Sequence, residues 1–131
     1  MENYQRVVKY YECDRMGITH HSNYIRFMED ARIYVLDQLG YGFEKMEAEG
    51  VVSPVVSIEV EYKKPTTFKD VIEIEVKTKE ISPLKISFSY TMKVKEALVC
   101  KATSTHCFLM NSRPIAFQQR WPELVEKLLN L

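Results

Sequence analysis

The residue pattern along positions 84–95 restricts the fold of this chain more than any other sequence feature. Apolar and polar side chains alternate there without interruption, and the apolar positions are Leu84, Ile86, Phe88, Tyr90, Met92 and Val94. A period of two places all the apolar groups on one face of an extended strand, which a helix cannot do. The same period recurs in 56–62 and 72–77, so we expect several half-buried strands.

Two further segments are predicted to be strands. Residues 4–12 are rich in Tyr and Val, and residues 98–110 form the least regular of the predicted strands. Ser82-Pro83 separates the 84–95 strand from the strand before it, and Glu96-Ala97 separates it from the strand after it. We therefore expect antiparallel hairpins on both sides of the 84–95 strand.

One long helix is predicted between the first strand and the other four. Apolar residues recur at three- and four-residue steps over 23–39, with Ser22 as a candidate N-cap and Gly40 just beyond the end. The apolar stripe is widened by a second row, namely Ile25, Ile33 and Leu36. Such a wide stripe indicates that other elements wrap around this helix.

Two shorter helices complete the predicted elements. One covers 43–49 and ends at Gly50, and the other follows Pro122 at the end of the chain. The order of elements predicts one α+β domain over residues 1–131, in which a five-stranded antiparallel sheet curls around the long central helix. Because the sheet has free edges and covers the helix from one side only, we expect a homodimer or a homotetramer.

Composition argues against several classes of partner. The chain has 18 basic and 18 acidic residues, so it lacks the positive field that attracts nucleic acid or an anionic membrane surface. No apolar run reaches the length of a membrane span, and the first residues lack a signal-peptide hydrophobic region, so we expect a cytoplasmic protein. The three cysteines form no CxxC pair, and we expect reduced thiols, no metal and no cofactor.

Ionisable residues concentrate in 10–24, where the first strand meets the long helix. A helix start offers unpaired N–H groups and a positive dipole end, which suit a polarised carbonyl or an oxyanion. The Asp14 carboxylate could attack that carbonyl or activate water, although Asp is also common in turns. His20 and His21 are of types that more often cap helices than catalyse reactions, and Cys13 is a poor nucleophile because the adjacent carboxylate disfavours a thiolate.

The segment Tyr10–Arg32 resembles the 4-hydroxybenzoyl-CoA thioesterase-like branch of the hotdog superfamily, which includes the acyl-CoA thioesterases associated with the Tol-Pal system. The residues that match its pattern are Tyr10, Asp14, Gly17, His21, Asn23-Tyr24 and the Phe-x-Glu-x-Ala-Arg run over 27–32. Tyr62-Lys63-Lys64-Pro65 matches the Tyr-x-x-Pro strand end of that family. The chain departs from the family in having Cys13 where Thr is common, and Arg15 and Met16 where small residues are common.

The resemblance implies a hotdog domain that hydrolyses the thioester of an acyl-CoA, with acyl carrier protein as an alternative thiol carrier. It implies Asp14 as the catalytic carboxylate, the helix start at His21 as the carbonyl site, and Tyr10 as a residue that supports this pair. Whether Asp14 acts as nucleophile or as general base stays open. The residues expected to contact the substrate are Gly17, Ile18, Asn23, Lys64, Lys85 and Ser87.

Two other functions stay open at this stage. A hotdog hydratase or dehydratase would pair a His with a carboxylate on the helix, and Glu29 is the obvious helical carboxylate. Glu29 lies two turns into the predicted helix, beyond the dipole end, which favours the thioesterase interpretation. A non-catalytic acyl-CoA-binding module would use the same fold without turnover.

Overall fold

The computed structural model describes residues 1–131 and confirms the predicted α+β architecture. The strands are β1 (Tyr4–Val7), β2 (Val51–Val52), β3 (Val55–Tyr62), β4 (Val71–Ile81), β5 (Lys85–Val94), β6 (Ala97–Cys107), β7 (Leu109–Met110) and β8 (Arg113–Pro114). The helices are α1 (Asn23–Gln38), α2 (Phe43–Ala48), α3 (Phe117–Arg120) and α4 (Pro122–Leu129). No helix is long and apolar enough to cross a membrane.

The main sheet has five antiparallel strands in the order β1-β4-β5-β6-β3. The pairs β4-β5 and β5-β6 are the two predicted hairpins. The chain crosses from β3 to β4 without pairing them, so β3 and β1 form the two edges. A second sheet of three short strands, β2-β7-β8, was absent from the prediction because two-residue strands carry no detectable period.

The core lies between the inner face of the sheet and α1. In β5, Ile86, Phe88, Tyr90 and Met92 are buried as predicted, and in β4 so are Ile72, Ile74 and Val76. The predicted alternation fails at its ends, because Leu84 lies before β5 and is exposed, and Val94 is only partly buried. On α1, Phe27, Met28 and Ala31 are fully buried against them. Leu36 on the second apolar row is also buried, whereas Ile25 is exposed at the helix start.

Strand β3 differs from the expectation of a half-buried strand. Val55 and Val56 are 46% and 48% exposed, and Ile58 and Val60 are only partly buried. The physical reason is position, because β3 has β6 on one side and no strand on the other. Its apolar side chains therefore remain available for contact with another molecule.

The first strand is shorter than predicted. It ends at Val7, and Tyr10–Glu12 forms one turn of 3-10 helix in place of extended chain. The Glu12 side chain is buried and accepts hydrogen bonds from Arg6 Nη1 at 3.0 Å, Arg6 Nη2 at 2.6 Å and the backbone N–H of Lys9 at 2.8 Å. These bonds turn the chain back on itself where the Tyr-rich sequence favours a strand.

The start of α1 lies at the predicted residue and Ser22 occupies the N-cap position, but it does not cap the helix through its side chain. The Ser22 side chain makes no capping bond, and its Oγ is hydrogen-bonded to His20 Nδ1 at 2.8 Å. Asn23 ties the helix start down instead, because its Nδ2 donates to the carbonyl oxygens of Glu12 at 3.0 Å and His20 at 3.3 Å.

A chain of buried polar groups crosses the core. Arg32 on α1 donates to the Tyr90 hydroxyl at 3.2 Å, which is 2.7 Å from Ser104 Oγ, which in turn is 2.6 Å from His106 Nε2. Burial, followed by the positive charge of Arg32, lowers the pKa of His106 to about 3. His106 is therefore neutral in the folded protein at neutral pH.

We predict that replacing Glu12 with Gln lowers the free energy of unfolding by about 2–3 kcal/mol, because the buried carboxylate is lost and the partly buried Arg6 cation keeps only Asp30 as an anionic partner, at 3.5 Å. Urea denaturation at pH 7 measures the change, and the exposed Glu2→Gln variant is the control. A loss below about 0.5 kcal/mol, the range of ordinary surface substitutions, would contradict the prediction.

We predict that His106 makes the protein less stable as the pH falls below about 6.5. The unfolded chain binds a proton there and the folded chain does not until about pH 3, so stability is fully present above the unfolded pKa and is lost on acidification. Wild type should lose about 2 kcal/mol more than His106→Gln between pH 7.5 and pH 5. Urea denaturation of both proteins at the two pH values tests this, and equal losses would contradict it.

Candidate active site

A cavity of about 430 Å³ lies where the loop after the 3-10 turn, the start of α1 and the end of β3 meet. Its walls combine one carboxylate, one imidazole, two lysines and several apolar or aromatic groups. The lining residues are Asp14, Met16, Ile18, Thr19, His21, Tyr24, Tyr62, Lys63, Lys64 and Pro65.

Asp14 begins a tight turn that closes at Gly17. The Asp14 carbonyl accepts from Gly17 N–H at 3.0 Å, and Asp14 Oδ1 accepts from Met16 N–H at 2.8 Å. Gly17 has a φ of +78°, a left-handed conformation that favours glycine. Asp14 Oδ2 has no hydrogen-bond partner within the chain, so one carboxylate oxygen is oriented and the other is free to react.

A hydrogen-bonded cluster joins the Asp14 loop to α1. Thr19 N–H donates to the Thr66 carbonyl at 2.8 Å, and the Thr19 and Thr66 hydroxyls are 2.6 Å apart. The Tyr24 hydroxyl lies 2.8 Å from Thr66 Oγ1. Burial raises the pKa of Tyr24, so this phenol stays protonated at neutral pH. The cluster fixes the distance between the carboxylate loop and the first turn of the helix.

The backbone at the start of α1 leaves N–H donors free, and that of His21 is one of them. His20 N–H donates to the Glu12 carbonyl at 2.8 Å, and Asn23 N–H donates to the His20 carbonyl at 3.0 Å. The N–H of His21 has no acceptor within the chain, and the His21 ring stacks on that of His20 with centroids 4.2 Å apart. The helix start therefore presents an unsatisfied N–H together with its positive dipole end.

The structure brings Asp14, Ile18, His21 and Lys64 together in the cavity wall. Two further expected contacts, Gly17 and Asn23, are not lining residues but are neighbours of them in the chain. Gly17 closes the Asp14 turn, and Asn23 is the first residue of α1.

Tyr10 does not join this cavity. It lies in the 3-10 turn and not on the first strand, its side chain is 77% exposed, and its ring contacts that of Phe68 at a centroid distance of 5.5 Å. The strand placement expected for Tyr10 is corrected here, because the buried Glu12 carboxylate turns the chain before that residue.

Lys85 and Ser87 also lie outside the cavity. They pair with Cys107 and Thr105 at the start of β5, whereas Tyr62 pairs with Cys100 at the other end of the same sheet. Five to seven strand residues separate the two levels, which corresponds to about 20 Å. Within one chain, these two residues therefore do not touch the groups around Asp14, and their contact with the far end of a CoA substrate stays a prediction.

Several cavity residues were not singled out as site residues from the sequence. Tyr24, Tyr62 and Pro65 belong to motifs that did carry a signal, the Asn-Tyr pair and the Tyr-x-x-Pro strand end. Thr19, in the cavity wall, and its buried partner Thr66 carried none, because they lie 47 residues apart and only the folded chain joins them.

Comparison with known proteins places the chain among thioesterases. The family model of the thioesterase-like superfamily matches residues 8–128. YneP of Bacillus subtilis, provisionally named an acyl-CoA thioesterase, is 35% identical over 119 residues, which cover 88% of this chain and 86% of YneP. The acyl-CoA thioester hydrolase YbgC of Escherichia coli O6:H1 is 30% identical over 91 residues, covering 69% of this chain and 66% of YbgC. A crystal structure of a hypothetical protein from Aquifex aeolicus superimposes with a TM-score of 0.89 at 35% identity, covering 95% of this chain and 97% of that one.

Proposed function

Because the chain belongs to the thioesterase-like superfamily and is therefore a thioester hydrolase, we propose that Asp14 cleaves acyl-CoA thioesters bound at the start of α1. The observation that carries the proposal is the pairing of a free carboxylate oxygen with a free backbone donor. Asp14 Oδ2 and the N–H of His21 both lack partners, and both residues line the same cavity of about 430 Å³.

The cavity walls suit the two ends of an acyl-CoA. Met16 and Ile18 offer apolar surface to the acyl group, while Lys64 places positive charge at the rim, where the phosphates of CoA would lie. Lys63 lies beside it but is paired with Glu61 at 2.8 Å. An acyl carrier protein also presents its acyl group on a phosphopantetheine arm, so its thioesters are the second class of substrate that we propose.

In the proposed reaction, the N–H of His21 donates to the thioester oxygen and stabilises the negative charge that develops there. One such donor contributes roughly 10²- to 10³-fold in rate. Asp14 then acts by one of two routes. As nucleophile it forms a bond to the acyl carbon while the C–S bond breaks and the thiolate takes a proton from water, and a second water then hydrolyses the anhydride. As general base it takes a proton from a water that bonds to the acyl carbon, the C–S bond breaks, and the proton passes from Asp14 to the departing thiolate.

Glu29, the carboxylate that a hydratase would use, lies on the exposed face of α1 and outside the cavity wall. This placement favours hydrolysis over hydration. The activity assay described below distinguishes hydrolysis from the two alternatives, a hydratase and a non-catalytic binding module.

We predict that Asp14→Asn lowers kcat for thiol release by at least about 100-fold. Asn retains a side-chain oxygen for the Met16 N–H, so the turn should survive while the reactive carboxylate is lost. The assay is thiol release from short, long and aromatic acyl-CoAs and from an acyl carrier protein thioester, with the exposed Asp37→Asn variant as the control.

Each other outcome of that assay points elsewhere. Retained activity in Asp14→Asn would reduce Asp14 to a turn residue. Hydration of an enoyl-CoA without thiol release would establish a hydratase, and tight acyl-CoA binding without either reaction would establish a binding module.

We further propose that a second copy of the chain pairs along β3, whose outer edge is unpaired and whose Val55 and Val56 are exposed. We predict that light scattering after size exclusion gives a multiple of the 15.4 kDa chain mass. Val56→Lys on β3 should shift the protein toward monomer, because it places charge in an apolar interface. Val7→Lys, on the opposite edge strand, is the control. If Val7→Lys alone dissociated the oligomer, the interface would lie at β1 and the proposal would be wrong.

A further inference from the structure

Tyr62, the last residue of β3, makes three contacts with the start of α1. Its phenolic O–H donates to the His21 carbonyl at 3.1 Å. Its ring meets the rings of His21 and Tyr24 edge-on, with centroid distances of 6.3 Å and 5.3 Å. The side chain also lines the cavity and is 49% exposed.

The hydrogen bond from Tyr62 is the only one that a side chain makes to His21. The backbone holds His21 weakly, because Tyr24 N–H donates to the same carbonyl at the long distance of 3.3 Å. Burial raises the pKa of Tyr62, so the phenol keeps its proton at neutral pH and acts as the donor. A partly exposed phenol could bond to water alone, yet here its proton is directed at the residue that carries the free N–H.

The residues that follow Tyr62 hold the other half of the site. Thr66 is bonded to Thr19, and Thr67 Oγ1 donates to the Gly17 carbonyl at 2.7 Å. Residues 62–67 therefore contact the His21 end of the site through Tyr62 and the Asp14 turn through the two threonines. This segment therefore contacts both His21, which carries the free N–H, and the turn that holds the Asp14 carboxylate.

We propose that Tyr62 is a positioning residue that holds His21 and the start of α1 at the distance from Asp14 that thioester cleavage requires. The inference rests on the proposed function. Tyr62 acts through the His21 backbone, and its phenol proton is already donated to protein, so its role is to fix geometry.

Kinetics of Tyr62→Phe test this role, because Phe keeps the ring contacts and removes only the hydroxyl. Loss of one hydrogen bond between protein groups should lower kcat about fivefold and leave KM within about twofold. Tyr62→Leu, which also removes the edge-on ring contacts, should lower kcat further. Tyr11→Phe, at an exposed tyrosine outside the site, is the matched control and should retain wild-type kcat.

A second measurement does not depend on turnover. Backbone amide exchange followed by NMR reports on the Tyr24 N–H, which bonds to the same His21 carbonyl. Tyr62→Phe should speed that exchange about fivefold, since the loop is released, while the amide of Tyr90 in the central strand β5 exchanges as in wild type.

The outcomes separate this inference from the proposed function. Unchanged kcat together with unchanged Tyr24 exchange in Tyr62→Phe would overturn the inference, and so would a raised KM at unchanged kcat, which would make Tyr62 a substrate contact. If wild type releases no thiol from any acyl-CoA, the proposed function fails, and faster Tyr24 exchange would still support Tyr62 as the residue that holds His21.

Discussion

The buried Glu12 residue is the point on which the geometry of the site depends. Its carboxylate accepts from both terminal nitrogens of Arg6 and from Lys9 N–H, and its carbonyl accepts from His20 N–H and from Asn23 Nδ2. A carboxylate at 4% exposure is tolerated only when its oxygens are satisfied in this way, because desolvation of an ion costs several kcal/mol. One residue therefore joins the first strand, the 3-10 turn and the start of α1, and Asp14 lies two residues beyond it.

The edge strand β3 explains why the site lies where it does. A carboxylate with a free oxygen cannot be placed in an apolar core without a partner, but it can be placed at the rim, where water reaches it. The end of β3 supplies that rim, with Tyr62 and the lysines that follow it facing the loop and helix start. The same strand leaves the N–H and C=O groups of its outer edge unpaired, so the surface beside the site is also suited to pairing with another chain.

Regular elements could be predicted from the sequence because their signal is local. The period of two in β5 and the steps of three and four in α1 each reflect one face packed on the core. The end of β1 could not be predicted, since Tyr and Val favour a strand and the opposing effect is a partly buried ion pair that forms only in the folded chain. The same holds for Thr19 with Thr66, and for the exposure of β3, which follows from strand order and not from the residues of β3 itself.

Asp14 shows that a structural and a chemical interpretation of one residue need not compete. As a turn residue, it uses its carbonyl and Oδ1 to close the loop on Gly17 and Met16. The proposed reaction uses its other oxygen, Oδ2, to which no atom of the chain is hydrogen-bonded. The turn fixes the direction of the free oxygen before substrate arrives, so less orientational freedom is lost in the transition state. The turn at Asp14, which makes this residue look ordinary in the sequence, therefore also orients it for the proposed chemistry.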